Sequence, residues 1–243
     1  MAQSGRPRQR AAQGGPARSK RTPAKRTPKR ESNRPGQKPA PSEAAPRPEP
    51  RVFRLGAVAG ATPGRWIDTW KQRMPHVPLE LVPLDAQRQR DSIDEVDAAL
   101  IRLPLTDEGL HVISLYDEVP VVVASVESHL MAVDEVTGHD LAGEVLITPL
   151  DDVLGPLGLA TVEPRFAALE TTADAIATAA TGVGIVVVPM SLARLHQRKD
   201  VDYRPLVDGP TSSVGLAWAR ERTTEDVETF IGIVRGRTAN SSR

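Results

Sequence analysis

The 243-residue chain contains no cysteine, which excludes a disulfide framework, a thiolate metal site and a cysteine nucleophile. It has no run of about 18 apolar residues, so no transmembrane helix is expected. No apolar stretch follows the basic N-terminus, so we expect no secretory signal and a cytoplasmic location. Aromatic residues are scarce, with three Trp, two Tyr and three Phe, which disfavours a stacking surface for single-stranded nucleic acid.

Signatures of enzymatic chemistry are also missing. The five histidines show no metal-ligand spacing. There is no Gly-x-Ser-x-Gly elbow and no phosphate-binding P-loop. Asp151 and Asp152 form a carboxylate pair, but they lie in a Gly/Pro-rich stretch that favours a solvated loop. We therefore predict a protein that is not an enzyme and that holds no metal and no cofactor.

Charge is segregated along the chain. Residues 1–50 contain 13 Lys and Arg against 3 Asp and Glu, whereas residues 51–243 contain 18 against 28. Apart from Met1, the first segment has none of Val, Ile, Leu, Met, Phe, Tyr or Trp, and it holds ten prolines. Such a segment cannot bury enough apolar surface to offset its ordering entropy. We predict a disordered basic tail over residues 1–50 and a disordered C-terminus over residues 238–243.

The tail carries a short repeat, Lys20-Arg21-Thr22-Pro23 followed by Lys25-Arg26-Thr27-Pro28, and Lys29-Arg30 comes next. An extended basic arm can neutralise phosphates and release counterions, which makes it a candidate for non-specific DNA contact. Gly5-Arg6-Pro7-Arg8 also resembles the core of an AT-hook, which would place Arg6 in a minor groove. The candidate DNA contacts are Arg6, Arg8, Lys20, Arg21, Lys25, Arg26, Lys29 and Arg30. The alternative is a solubilising tail or linker without a specific partner.

The remaining sequence alternates strand and helix patterns. Strands are predicted at 51–58, 79–84, 97–102, 110–114, 119–124, 144–148, 165–170, 184–189, 201–206 and 213–219. Helices are predicted at 63–73, 87–95, 173–181, 191–197 and 225–235, with a helical turn at Leu141. Thr62 is predicted to cap the first helix, and Thr171 or Thr172 the third. Alternation favours mostly parallel sheets, and the similar order in both halves favours two α/β lobes.

Four stretches resemble a known family when taken in order. They are Phe53-Arg-Leu-Gly-Ala with Thr62-Pro63, Met74-Pro-His-Val-Pro-Leu-Glu-Leu-Val82, Glu95-Val-Asp-Ala-Ala-Leu-Ile101 and Gly182-Val-Gly-Ile-Val-Val-Val-Pro189. From about Phe53 to Arg235 the chain resembles the effector-binding domain of LysR-type transcriptional regulators, a relative of type 2 periplasmic binding proteins. The resemblance implies an effector-binding domain at 51–237, built from two Rossmann-like lobes joined by crossover strands. Lobe I is expected at about 51–120 and 212–237, and lobe II at about 121–211.

The same resemblance implies a function. A small anionic metabolite would bind between the lobes and close them, and two copies would pair, lobe I against lobe II, in transcription regulation. Family members normally begin with a winged helix-turn-helix and a linker helix, which residues 1–50 lack the apolar residues to form. We expect either that the basic tail replaces the winged helix-turn-helix by binding DNA non-specifically, or that the protein does not bind DNA. A stand-alone solute-binding module with no DNA-related role is the alternative, and an enzyme on the same scaffold is a third, less favoured one.

Ligands of open α/β lobes bind at the carboxyl ends of strands, near helix N-termini. In lobe I this rule selects Gly60, Ala61 and Thr62, whose hydroxyl and neighbouring N–H groups could hold a carboxylate, and Arg102, which could clamp an anion bidentately. In lobe II it selects Thr148, Thr171 and Thr172. The simpler alternatives are that Thr62 only caps its helix and that Arg102 is a surface arginine.

Overall fold

A computed structural model describes residues 51–236. The predicted disordered tail over residues 1–50, with its candidate DNA contacts, and the predicted disordered C-terminus lie outside the described residues. Among the helices of residues 51–236, none is long and apolar enough to cross a membrane.

Residues 51–236 contain eight strands, arranged in two separate sheets. The strands are β1 (Phe53–Val58), β2 (Leu79–Leu84), β3 (Ala98–Arg102), β4 (Leu110–Glu118), β5 (Pro120–Ser125), β6 (Val186–Pro189), β7 (Val201–Pro205) and β8 (Ser212–Ala219). The first sheet has the order β2-β1-β3-β8-β4 and the second the order β6-β5-β7. We call the first sheet with its covering helices lobe I, and the second sheet with its helices and loops lobe II.

The direction of the strands differs from the prediction of mostly parallel sheets. β1 pairs in parallel with β2 and β3. However, β8 is antiparallel to β3 and β4, and β5 is antiparallel to β6 and β7. The prediction is wrong because it assumed a helix between successive strands. Only Val119 separates β4 from β5, and no helix lies between β7 and β8, so these connections carry the chain from one sheet to the other.

The helices of the described range cover both sheets. They are α1 (Gly64–Arg73), α2 (Gln89–Ser92), α3 (Thr172–Ala179), α4 (Met190–Leu195) and α5 (Glu225–Val234). The helix predicted at 87–95 is instead the four-residue α2 flanked by 3-10 turns at Ala86–Arg88 and Ile93–Glu95. The turn at Leu141 is a 3-10 turn, Gly138–Leu141.

Two predicted strands do not form. Residues 165–170 have no strand partner and are mostly exposed, although Leu169 packs against the lobe II core. Residues 144–148 make only isolated bridges, from Val145 to Val162 and from Leu146 to Ile185. Both segments have strand propensity. A strand is stabilised by pairing with a neighbouring strand, however, and the sequence does not show which neighbours are available.

Each lobe has its own apolar core. In lobe I, Phe53 stacks on Trp70 with ring centroids 4.5 Å apart, and Phe230 of α5 lies 5.2 Å from Phe53. The Trp70 indole N–H donates to the Val77 carbonyl at 2.8 Å, which ties the end of α1 to the turn before β2. In lobe II, Ile176 of α3 is buried against the valines of β5 and β6. Separate cores leave the region between the lobes free to form a crevice.

Candidate functional site

A crevice of about 570 Å³ lies where the two lobes meet. Lobe I contributes the loop after β1, and the connection between the sheets contributes its floor. Helix α4 of lobe II forms the opposite wall. The lining residues are Gly60, Ala61, Thr62, Tyr116, Asp117, Glu118, Val119, Met190, Ser191, Arg194 and Leu195. Three of the sequence candidates, Gly60, Ala61 and Thr62, are therefore in one place.

Gly60 allows the two walls to approach each other. Its φ is +85°, a left-handed conformation that side chains other than glycine adopt only with strain. A Cβ atom at this position would overlap the Ser191 hydroxyl and would lie 3.0 Å from Nη2 of Arg102. The loop after β1 can therefore pack directly against α4 only because residue 60 has no side chain.

The prediction that Thr62 caps α1 is wrong. The helix begins at Gly64 after Pro63, and no side chain accepts a capping hydrogen bond there. The Pro63 carbonyl accepts from the N–H groups of Trp66 and Ile67, each at 2.9 Å. The Thr62 backbone and side chain instead lie next to the Tyr116 hydroxyl at the crevice. The polar atoms of Thr62 thus lie at the crevice rather than along the helix axis.

Tyr116 is half-buried beside Thr62. Burial raises the pKa of the Tyr116 phenol, and the nearby Glu118 carboxylate raises it further. The charge of Arg102 and the hydrogen bonds to Thr62 oppose the shift without cancelling it. Tyr116 therefore remains a neutral phenol at neutral pH and can both donate and accept hydrogen bonds in the crevice.

Arg102 lies beneath the crevice and not on the surface, because only 5% of the residue is exposed. Its Nη1 donates to the Glu118 carboxylate at 2.5 Å and to the Ser212 hydroxyl at 3.1 Å. Its Nη2 donates to the Ala59 carbonyl and to the Ser191 hydroxyl, each at 3.2 Å. Both terminal nitrogens are thus engaged, and Nε is buried without a partner. The surface-arginine alternative is wrong, and in this arrangement the guanidinium holds protein groups where the clamp hypothesis placed a ligand.

The Arg102 cluster joins the two lobes. The Ser191 hydroxyl, at the start of α4 in lobe II, also donates to the Glu118 carboxylate at 2.8 Å. Glu118 ends β4, next to the connection between the sheets. The buried ion pair therefore lies where the two sheets are connected and bonds to lobe II through Ser191.

The three lobe II candidates do not reach this crevice. Thr148 lines a separate cavity of about 450 Å³ under the loop at 155–163. Thr171 caps α3, accepting from the Asp174 N–H at 3.1 Å and donating to its carboxylate at 2.7 Å. Thr172 is buried and donates to the Asp151 carboxylate at 2.8 Å. The carboxyl-end rule could not tell which loops face lobe I.

A second, smaller cavity of about 300 Å³ also lies between the lobes. Lobe I contributes Gln87, Gln89 and the end of β3 at Arg102, and lobe II contributes the loop that begins at Asp152. The Gln89 amide bonds both backbone groups of Arg102, at 2.8 and 2.9 Å, which fixes the end of β3. Arg102 therefore separates the two interlobe cavities.

Sequence reasoning missed Arg194 and Ser191. Arg194 is exposed on α4, and its Nε donates to the Tyr203 hydroxyl at 3.3 Å. Within residues 51–236 it makes no salt bridge, so its charge is available to a ligand. Both residues lie on the helix that follows β6, so the carboxyl-end rule applied to that strand would have found them. In the same range, no three His, Asp or Glu side chains are grouped so that they could hold a metal ion.

The chain is similar to known proteins in sequence and in fold. A family profile described as "LysR substrate binding domain" matches residues 47–239. HcaR, the Hca operon transcriptional activator of Escherichia coli (strain K12), is 25% identical over 209 residues, covering 79% of this chain and 70% of HcaR.

Two solved structures illustrate the likeness in fold. The BenM effector binding domain with its effector benzoate aligns with a TM-score of 0.63 at 22% identity, over 76% of this chain and 91% of that one. The reduced OxyR regulatory domain from Pseudomonas aeruginosa gives 0.58 at 22% identity, over 76% and 95%. At this identity the likeness establishes the fold, and it confirms the predicted two-lobed α/β class.

Proposed function

Because the chain belongs to the LysR substrate binding domain family, we propose that it binds a small anionic effector in the 570 Å³ crevice. One observation carries the proposal. The loop after β1, the connection at Tyr116–Val119 and helix α4 converge on a single crevice between the lobes. The similar proteins are transcriptional regulators and their effector-binding domains, which fits a role in transcription regulation and not catalysis.

The charges of the crevice favour a carboxylate at its α4 end. Glu118 is already balanced by the buried Arg102. Asp117 also lines the crevice and accepts from the Ser213 hydroxyl at 2.5 Å. Arg194 is the cation among the crevice-lining residues, and it has no acidic partner within residues 51–236. A ligand carboxylate would therefore lie between Arg194 and the Thr62 hydroxyl, with its apolar part near Val119, Met190 and Leu195.

Ligand binding would favour the closed arrangement of the lobes. A ligand that contacts Thr62 and Arg194 at the same time binds the closed state better than the open one, which shifts the population between the two. The connections at Val119 and between β7 and β8 are the places where the backbone would bend. We further propose that two copies pair, lobe I against lobe II, so that closure changes the contacts between them.

Thr62→Val is expected to weaken carboxylate binding by about 10-fold or more, the effect of losing one hydrogen bond to a charged group. The measurement is the rise in melting temperature with benzoate, the effector in the BenM complex, and with other small aromatic and aliphatic carboxylates. Thr69→Val is the matched control, because the Thr69 hydroxyl bonds the Arg65 carbonyl on the exposed side of α1. Equal melting-temperature rises in the two variants would remove Thr62 from the site.

The tail is proposed to bind DNA without sequence preference. The full chain should retard a random duplex at about 50 mM salt and lose most of this binding by about 200 mM, because phosphate contacts release counterions. A protein starting at Arg51 should not retard the duplex, since its net charge is strongly negative. Equal retardation of both proteins would exclude the tail, and no retardation of either would favour a stand-alone solute-binding module.

A further inference from the structure

A single side chain bridges the lobes at the smaller interlobe cavity. The Gln87 amide, in the 3-10 turn Ala86–Arg88 of lobe I, donates to the main-chain carbonyl of Asp152 in lobe II at 2.8 Å. Both residues line the 300 Å³ cavity. The contact lies on the opposite side of the end of β3 from the 570 Å³ crevice, because Arg102 separates the two cavities.

Both ends of this contact are held in place by their own turns. The Asp85 carboxylate accepts from the Gln87 N–H at 2.8 Å, which fixes the turn that carries the glutamine. The Asp152 carboxylate accepts from the N–H groups of Leu154 and Gly155, at 3.1 and 2.7 Å, which fixes the loop that carries the carbonyl. Because donor and acceptor are positioned before the lobes meet, the bond orders little more than the glutamine side chain.

We propose that Gln87 is a positioning residue that clasps lobe II at Asp152 and favours the closed lobe arrangement even without a ligand. The inference rests on the proposed function only in taking the lobes as movable about the connection between the sheets. Arg102 and Glu118 also bond across the lobes, both to Ser191, but the Arg102 side chain is buried among four partners and cannot be released singly. Gln87 is exposed, so its bond can open and close while both cores stay intact.

The size of the effect follows from one neutral hydrogen bond between exposed groups. Losing it should lower the ratio of closed to open molecules by about 2- to 10-fold. A ligand that binds only the closed state can bind only the closed fraction of the molecules. Its apparent affinity would therefore fall by no more than the same factor. The clasp thus sets how readily the crevice accepts a ligand without contacting the ligand.

The test measures the distance between the lobes in ligand-free protein. The chain has no cysteine, so Asp91→Cys and Glu163→Cys introduce a unique pair for spin labels. Both positions are exposed, one in α2 and one in lobe II. Pulsed electron resonance on this pair should show a population at longer distance that increases about 2- to 10-fold in Gln87→Ala. Gln87→Glu should increase it at least as much, because a carboxylate cannot donate to a carbonyl.

Gln197→Ala is the control, since Gln197 is an exposed glutamine of lobe II that lines neither interlobe cavity. It should leave the distance distribution unchanged. Unchanged distributions in both Gln87 variants would overturn the clasp. The measurement uses no ligand, so a failure of the carboxylate screen would reject the proposed effector and leave this result standing.

Discussion

Replacing Arg102 with alanine lowers the free energy of unfolding by about 3–5 kcal/mol, because it leaves the Glu118 carboxylate buried without its partner. The side chains of the pair are 5% and 9% exposed, so solvent cannot compensate for the lost charge. For a domain of this size the melting temperature should fall by about 6–20 °C. Urea denaturation followed by circular dichroism measures the change directly.

Arg90→Ala is the matched control for this effect. Arg90 also pairs with a carboxylate at 2.7 Å, that of Asp107, but these side chains are 37% and 30% exposed. Solvent and salt screen such a pair, so its loss should cost about 0–1 kcal/mol. The double variant Arg102→Met with Glu118→Leu removes both buried charges and should recover most of the stability. Equal destabilisation by Arg102→Ala and Arg90→Ala would contradict the buried role of Arg102.

Replacing Arg194 with alanine lowers the affinity for a carboxylate ligand by about 10- to 100-fold, the effect of losing a hydrogen bond to a charged group. The protein should stay folded, because Arg194 is exposed and its one hydrogen bond is to the Tyr203 hydroxyl. Titration calorimetry with the carboxylate that gives the largest melting-temperature rise measures the loss.

Arg194→Lys and Arg165→Ala make this prediction specific. Lysine keeps the charge but not the planar guanidinium, so it should retain part of the affinity. Arg165 is an exposed arginine of lobe II that does not line the crevice, and its removal should leave affinity unchanged. If both alanine variants weaken binding equally, the effect is one of general charge, and the contact at α4 is refuted.

Local rules predicted those parts of the fold that depend on neighbours in the sequence. Trp66, Ile67, Trp70 and Met74 recur at helical spacing, which indicates a single apolar face for α1, and in the structure this face packs on the lobe I core. Asp174, three residues after Thr171, has the spacing of a capping box, and Thr171 caps α3. Both features need only one turn of helix to be recognised.

Features that join distant residues were not predictable in this way. Arg102 was correctly placed at the end of a strand, but its partners Glu118 and Ser191 lie 16 and 89 residues away. The sequence therefore could not distinguish a guanidinium open to a ligand from one that binds the protein itself. The antiparallel pairing of β8 was missed for the same reason. The chain leaves the first sheet after β4 and returns to it at β8, in each case through a connection without a helix.

Three of the residues that line the crevice, Gly60, Ala61 and Thr62, were sequence candidates for a physical reason. The helix that follows them makes the loop recognisable as the carboxyl end of a strand, and Gly60 leaves room for the Ser191 side chain. The lobe II wall was missed because Thr148, Thr171 and Thr172 satisfy the same rule as Ser191 and Arg194. Which of these loops faces lobe I depends on how the second sheet is oriented, and no local pattern records that.

Native mass spectrometry of the protein purified from its own host tests most directly whether a small anion is held between the lobes. The wild-type protein should retain a small molecule that ionises as an anion after release, and Arg194→Ala should lose it while Arg165→Ala keeps it. A molecule retained equally by wild type and Arg194→Ala, or one that carries no acidic group, would contradict the proposed site.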